Sequence, residues 1–320
     1  MQNTYIAWFE IFDTVNTVVT DCATWQLVRN CPRACLLASH LRLQPWLETE
    51  ETTFNALLKE AMHAWHRAKL KGKAEPALAL ELSHGRRERC VSYNGINSYD
   101  LLLNYFLFDQ EESLDWHGEA QVFRCDIVPC TEQLLDPPLV LSDRIDGLVA
   151  HEGDLYLLVH MPVKCLADQT QFFQTDFTNT LKAVFAGDAL KLDLKGIAYN
   201  LLQTHAAPIP DRNERCGVGR QFLKFKPDYQ AAVRVELGQL AVRYNELMGQ
   251  PQSCITNKDF CFHNGRTCVY DALCQSNMSW DALQQYRYTD MNPHFSREEQ
   301  EEILELNFFF TAPGSRSDKI

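Results

Sequence analysis

Leu139-Val140-Leu141-Ser142-Asp143-Arg144-Ile145-Asp146-Gly147-Leu148-Val149-Ala150, the turn His151-Glu152-Gly153, and Asp154-Leu155-Tyr156-Leu157-Leu158-Val159-His160-Met161-Pro162-Val163-Lys164 decide the reading of the fold. Residues rich in Leu, Val, Ile and Tyr on either side of a Gly-containing turn predict two strands, 139–150 and 154–161, joined as a hairpin. A third strand is predicted over 119–128. Upstream, Phe54, Leu57, Leu58, Ala61, Met62 and Trp65 recur at helical spacing, so 51–69 is a helix with His63 on its other side, near Lys59 and Glu60. A second helix is expected over 96–108. Downstream, a helix is expected over 173–186, and the stripe Leu190, Leu194, Ile197, Ala198 and Leu201 reads as another. A short strand at 221–225 then leads into a long helix over 227–248. Pro32 suits a helix start better than a helix interior, so the helical pattern of 21–43 is expected to begin afresh there. Helices, sheet and helices in that order predict a mixed α/β core.

The chain has 320 residues, 46% of them apolar, and a formal net charge of −12. That suffices for one large domain or two modest ones. No apolar run is long enough to span a membrane, and Met1–Glu10 carries no basic stretch of a leader, so a cytoplasmic protein without a membrane partner is expected. The acidic total argues against a broad phosphate-binding surface. Three basic islands run the other way: His66–Lys73, Arg86–Arg89 and Arg220–Lys226. Each reads first as a solvated face; gathered on one groove, they would suit a phosphate backbone.

Twelve cysteines in a cytoplasmic chain read mostly as reduced thiols. Cys22, Cys90, Cys125, Cys130, Cys165, Cys216 and Cys254 are expected to be small buried hydrophobes. Cys31, in Asn30-Cys31-Pro32-Arg33, and the trio Cys261, Cys268 and Cys274, spaced C-x6-C-x5-C, form a different pattern. One thiol near one end and three near the other would complete a four-thiolate zinc or iron–sulfur site that ties the ends together. Cys35 competes with Cys31 for a place in it.

Cys31-Pro32-Arg33-Ala34-Cys35-Leu36-Leu37 resembles the Cys-Pro-Arg entry of RecB-like and CRISPR-adaptation nucleases of the PD-(D/E)xK superfamily. Phe54–Trp65 looks like their first-motif helix, with His63 at the histidine. Ser142–Val149 is similar to their "GxiDgv" motif, with Asp146 at the metal-binding aspartate. Cys261…Cys268-Val269-Tyr270-Asp271-Ala272-Leu273-Cys274 looks like their closing cysteine segment. The likeness runs from about residue 25 to 275. It implies a restriction-endonuclease-like mixed sheet with flanking helices over residues 1–275, and a helical tail over 276–320. It also implies a 4Fe–4S cluster on Cys31, Cys261, Cys268 and Cys274, with zinc as the alternative. Catalysis would fall to His63, Asp146 and Lys164, and Mg²⁺ or Mn²⁺ to His63, Asp146 and His160. DNA, as single strands or duplex ends, is the implied partner, with a helicase or other protein as a further candidate. A phage-encoded chain would act in the host cytoplasm.

The second motif strand departs from the pattern. The family ends it in an acid-x-lysine pair; here, two residues before Lys164 stands Pro162, and alignment on the apolar strand puts His160 at the acid. Phosphodiester hydrolysis needs a divalent ion to polarise the phosphate and to acidify a water, and Mg²⁺ prefers carboxylate oxygens. Glu60 or Glu119 could replace the missing acid. The family's later Gln/Tyr pair reads here as Lys195 and Tyr199. Three functions follow: a metal-dependent DNA exonuclease; a pseudonuclease that binds DNA or a protein partner; and an unrelated zinc or iron–sulfur protein.

Overall fold

The structure is a computed structural model that describes residues 18–40, 43–45, 50–72, 92–112, 114–129, 135, 138–163, 166, 176–205, 217–249, 261–263, 266–276, 282 and 285–288. It is mixed α/β, with mixed sheets and flanking helices. The described residues fall into two compact units. One is drawn from Met1–Leu47, Asp126–Val140 and Val235–Ile320, the other from Glu48–Cys125 and Leu141–Arg234. Among the described residues no helix is long and apolar enough to cross a membrane.

The second unit is built on a five-stranded sheet. Its strands are β1 (Asp115–Gly118), β2 (Gly147–His151), β3 (Asp154–Val163), β4 (Leu194–Gln203) and β5 (Val218–Lys224), in the order β5-β4-β3-β2-β1. β1 pairs antiparallel with β2 and β2 with β3, β4 runs parallel to β3, and β5 returns antiparallel to β4. The expected hairpin is present: Glu152 and Gly153 take positive φ of 52° and 83° at its turn, which suits Gly at the second position. Instead of one strand over 139–150, Leu139–Ile145 and β2 are separate strands, with Asp146 at the break.

Two helices cover this sheet, α1 (Glu50–Leu70) and α2 (Ser98–Glu111), and their apolar faces meet in one core. Phe54, Leu58, Ala61, Met62 and Trp65 pack with Leu101, Leu102, Tyr105 and Phe106. Helix α3 (Phe177–Leu190) makes the crossover from β3 to β4. The Asp176 side chain caps it, accepting the Asn179 N–H at 3.1 Å, and the Tyr199 hydroxyl donates to the same carboxylate at 3.1 Å.

The expected helix over 190–202 is instead strand β4. From Leu194 to Leu202 every residue but Lys195 is buried, because β4 lies between β3 and β5 and is covered on its faces. A strand buried on both faces loses its alternation, and its apolar run then mimics a helical stripe. Tyr199 is accordingly a fully buried strand residue.

In the first unit, the helix Cys22–Asn30 is capped by Asp21, which accepts the Thr24 N–H at 2.7 Å. It ends at Cys31, whose extended backbone breaks the helix before Pro32 opens the short helix Pro32–Cys35. Trp25 donates to Thr20 Oγ1 at 3.0 Å and packs at 5.4 Å on Tyr244 of the long helix Pro227–Gly249.

Candidate functional site

Helix α1 carries a second, polar stripe beside its apolar one: Lys59, His63, His66 and Lys69 follow at steps of four, three and three. Lys59 and His63 reach Asp146. The His63 Nε2–H donates to Asp146 Oδ1 at 3.1 Å, and Lys59 Nζ lies 3.9 Å from Oδ2. The His160 backbone N–H completes the shell, donating to Oδ2 at 2.9 Å. Burial alone would raise the Asp146 carboxyl. The His63 hydrogen bond, the neighbouring His160 and Lys59, and the His160 N–H outweigh it and hold the group well below the usual carboxylate range. Arg144 donates to His63 Nδ1 at 3.3 Å. With a carboxylate at one ring nitrogen and a guanidinium at the other, Nε2 is placed to donate to Asp146 and Nδ1 to accept from Arg144.

His160 stands where the resemblance expects an acid, and its side chain turns inward. The residue is 1% exposed. Its ring stacks on His66 (centroids 4.9 Å apart, 5° between planes), and His66 stacks on Trp116 at 3.7 Å. Among the described residues, neither ring nitrogen of His160 has a hydrogen-bond partner. Burial pushes its imidazole down to about 4, against a smaller opposing pull from Asp146, so the ring is neutral at pH 7. His66 is lowered too, first by burial and then by the neighbouring His160 and Lys69.

Beyond His66 runs a directional hydrogen-bond chain. Arg220 Nε donates to Asn200 Oδ1 at 2.7 Å, Asn200 Nδ2 to the Tyr105 hydroxyl at 2.7 Å, and that hydroxyl meets His66 Nε2 at 2.9 Å. Burial first, and then Asp109, hold Tyr105 well above the usual phenol range, so it remains a donor. Asp109 is the hub: fully buried, it accepts from Trp65 Nε1 at 2.9 Å, Lys69 Nζ at 2.9 Å and Arg220 at 2.7 Å. Sequence reasoning missed Tyr105, Asp109 and Asn200, and read His66 and Lys69 as part of a basic island with a solvated face, whereas His66 is buried. The polar stripe on α1 is a signal that could have placed both beside His63. Arg220, read as part of a basic island, is drawn inside, and Lys224 pairs with Asp154 at 2.5 Å.

The other predicted residues lie as follows. Lys164 and the Arg86–Arg89 island are outside the described residues, as are Cys90, Cys130, Cys165, Cys216 and Cys254. Glu60 and Glu119 are described, and no contact joins either to Asp146. Of the expected buried cysteines, Cys22 is buried and Cys125 half-buried.

Cys31, Cys261, Cys268 and Cys274 all belong to the first unit. The Cys268 N–H donates to the Cys261 carbonyl at 2.8 Å, the Tyr270 N–H points at Cys268 Sγ at 3.5 Å, and the Cys274 N–H closes a turn on Tyr270 at 3.0 Å. Cys31, Cys268 and Cys274 pack in one cluster with Leu37, Tyr270, Leu273 and Tyr286. Burial raises the Cys274 thiol to about 11, with Arg33 opposing, and raises Cys268 as well. Cys31 and Cys261 add to the rise at both. Four thiols are a soft donor set, and their chemistry fits zinc or an iron–sulfur cluster. Cys31 is the thiol felt by Cys268 and Cys274, whereas Cys35, fully buried one turn later, is felt by Tyr270. The donors around Asp146 fit a hard ion poorly: one carboxylate, with its oxygens engaged, and imidazoles. Among the described residues, no three His, Cys, Asp or Glu side chains are posed to hold a metal ion as they stand.

Compared with known protein families and with curated proteins, the chain matches no family model and no curated sequence.

Proposed function

We propose that this chain is a DNA-binding protein of the RecB-like PD-(D/E)xK kind in which Mg²⁺-dependent hydrolysis is impaired and the four-cysteine centre is kept. One observation carries the reading. The strand that should offer a second carboxylate to Asp146 offers the backbone N–H of His160 instead, and buries that residue's neutral ring against His66. Without a second negative charge, a hard cation lacks the oxygen set that would let it polarise a phosphate. The surroundings support the fold side of the reading. The first-motif histidine and the hairpin aspartate meet at 3.1 Å, and the antiparallel hairpin is followed by a crossover helix and a parallel strand. In the cysteine centre, Cys31, Cys261, Cys268 and Cys274 would hold the metal or cluster. Its chemistry there is structural, binding together chain segments distant in sequence.

A labelled single strand and a duplex with a recessed end, each with Mg²⁺ or Mn²⁺, test the proposal. The wild-type chain is expected to bind DNA without cleaving it, and His160→Glu to gain cleavage that Asp146→Asn then removes. Metal-dependent cleavage by the wild type that is lost in Asp146→Asn would restore the exonuclease reading. A wild type that does not bind DNA would leave the zinc or iron–sulfur protein reading.

A further inference from the structure

We propose that Arg144, with Lys59 and His63, forms a metal-independent phosphate seat at the rim of Asp146, in which Arg144 is the clamp. The inference rests on the DNA-binding reading above. Three elements bring cations to this spot: Lys59 on α1, Arg144 at the end of the strand Leu139–Ile145, and Lys182 on α3. Lys182 meets Asp143 at 3.0 Å and the Arg144 carbonyl at 3.3 Å. Three cations thus gather near Asp143 and Asp146 in a chain whose net charge is −12. In such a chain a guanidinium has many carboxylates to choose from. Arg29, Arg220 and Arg234 each meet one.

Arg144 does not do so among the described residues. It is exposed, and its guanidinium meets Nδ1 of His63 at 3.3 Å. A guanidinium fork gains far more from a phosphate oxygen pair than from one imidazole nitrogen. Lys59 is 44% exposed and lies only at the edge of ion-pair distance from Asp146. Both cations can turn to an anion without giving up a close carboxylate. The seat thus supplies from side chains part of the positive charge that the missing acid can no longer recruit as a metal ion. The chemistry recognised is a phosphate group, from a nucleic-acid backbone or from a small phosphate.

The test is fluorescence anisotropy with a labelled single-stranded oligonucleotide in EDTA, across a salt series. The wild type is expected to bind equally in EDTA and in Mg²⁺. Arg144→Gln should weaken binding by about tenfold and reduce the salt slope by about one. Arg144→Lys, which keeps the charge and loses the fork, should bind between the wild type and Arg144→Gln and keep the wild-type salt slope. Because Arg144 is exposed, unchanged thermal melting should show that both variants fold. If Arg144→Gln binds within about twofold of the wild type, the seat is wrong while DNA binding stands. Binding that needs Mg²⁺ also overturns it. If the wild type binds no DNA, the DNA reading falls, and inorganic phosphate decides the seat. A phosphate-induced shift of the His63 ring resonances in the wild type, absent in Arg144→Gln, keeps it as a site for a small phosphate; no shift overturns it.

Discussion

Asp109 shows how much depends on single buried charges in this fold. It has no exposure and holds Trp65, Lys69 and Arg220 at once. Asp109→Ala would leave the guanidinium of Arg220, whose side chain is 5% exposed, without its carboxylate. Removing one partner of a buried pair costs about 3–5 kcal/mol. Urea unfolding should therefore show a loss of that size, and a loss under about 1 kcal/mol would mean that solvent reaches Arg220. His160 gives a pH prediction of definite sign. Its folded value of about 4 lies below the ordinary histidine value, so between the two the unfolded chain binds a proton that the folded chain does not. Stability is complete above about pH 6.5 and falls as pH drops from there towards 4, at about 1.4 kcal/mol per unit. His66, lowered in the same direction, adds to the fall. Asp146, held below the carboxylate range, keeps its contribution throughout this window and loses it only in stronger acid. The urea midpoint should drop clearly between pH 7 and pH 5, and His160→Gln should shrink that drop; equal midpoints at the two pH values would contradict a buried neutral stack.

At the scale of the element, the pairing of β4 with β5 leaves no room for a side chain at Gly196. Gly196 lies opposite Lys224 in register, and a Cβ at Gly196 would run into the backbone carbonyl of Leu223. Backbone cannot swing aside as a side-chain tip can, so Gly196→Ala must displace β5. Overpacking of this kind costs about 1–3 kcal/mol. The displaced strand also carries Arg220, so the cost should include a looser hold on Asp109 and Asn200. Hydrogen exchange should accelerate along Val218–Lys224 in this variant and not along β1, the far edge of the sheet; unchanged protection of β5 would show that the joint tolerates the methyl group.

For the whole molecule, the histidine–aspartate site and the cysteine group lie in different units, so their losses should separate. Anaerobically purified protein is expected to contain iron and sulfide, or zinc. Cys31→Ser and Cys268→Ser should each lower the metal content severalfold, because a four-thiolate site loses much of its affinity with one ligand. Cys35→Ser should change it little. The same cysteine variants should leave the pH-dependent stability step of the histidine stack in place. Metal analysis and a visible spectrum check both statements, and metal loss in Cys35→Ser without loss in Cys31→Ser would exchange their roles.

Local pattern was enough for much of this molecule. The hairpin, the apolar stripe of α1, the start of a helix at Pro32 and the long helix after Pro227 could all be read from the chain, because turn chemistry and periodicity act over a few neighbouring residues. His63 and Asp146 were also singled out in the chain, and the fold brings them to 3.1 Å. Tertiary structure alone decided the rest. β4 is a strand because β3 and β5 bond both its edges, a fact its apolar run cannot express. His66, Tyr105, Asp109, Asn200 and Arg220 form one network only once α1, α2, β4 and β5 meet around it. Burial and charge pairing between distant segments depend on which surfaces fold together, and that is not a property of any one segment.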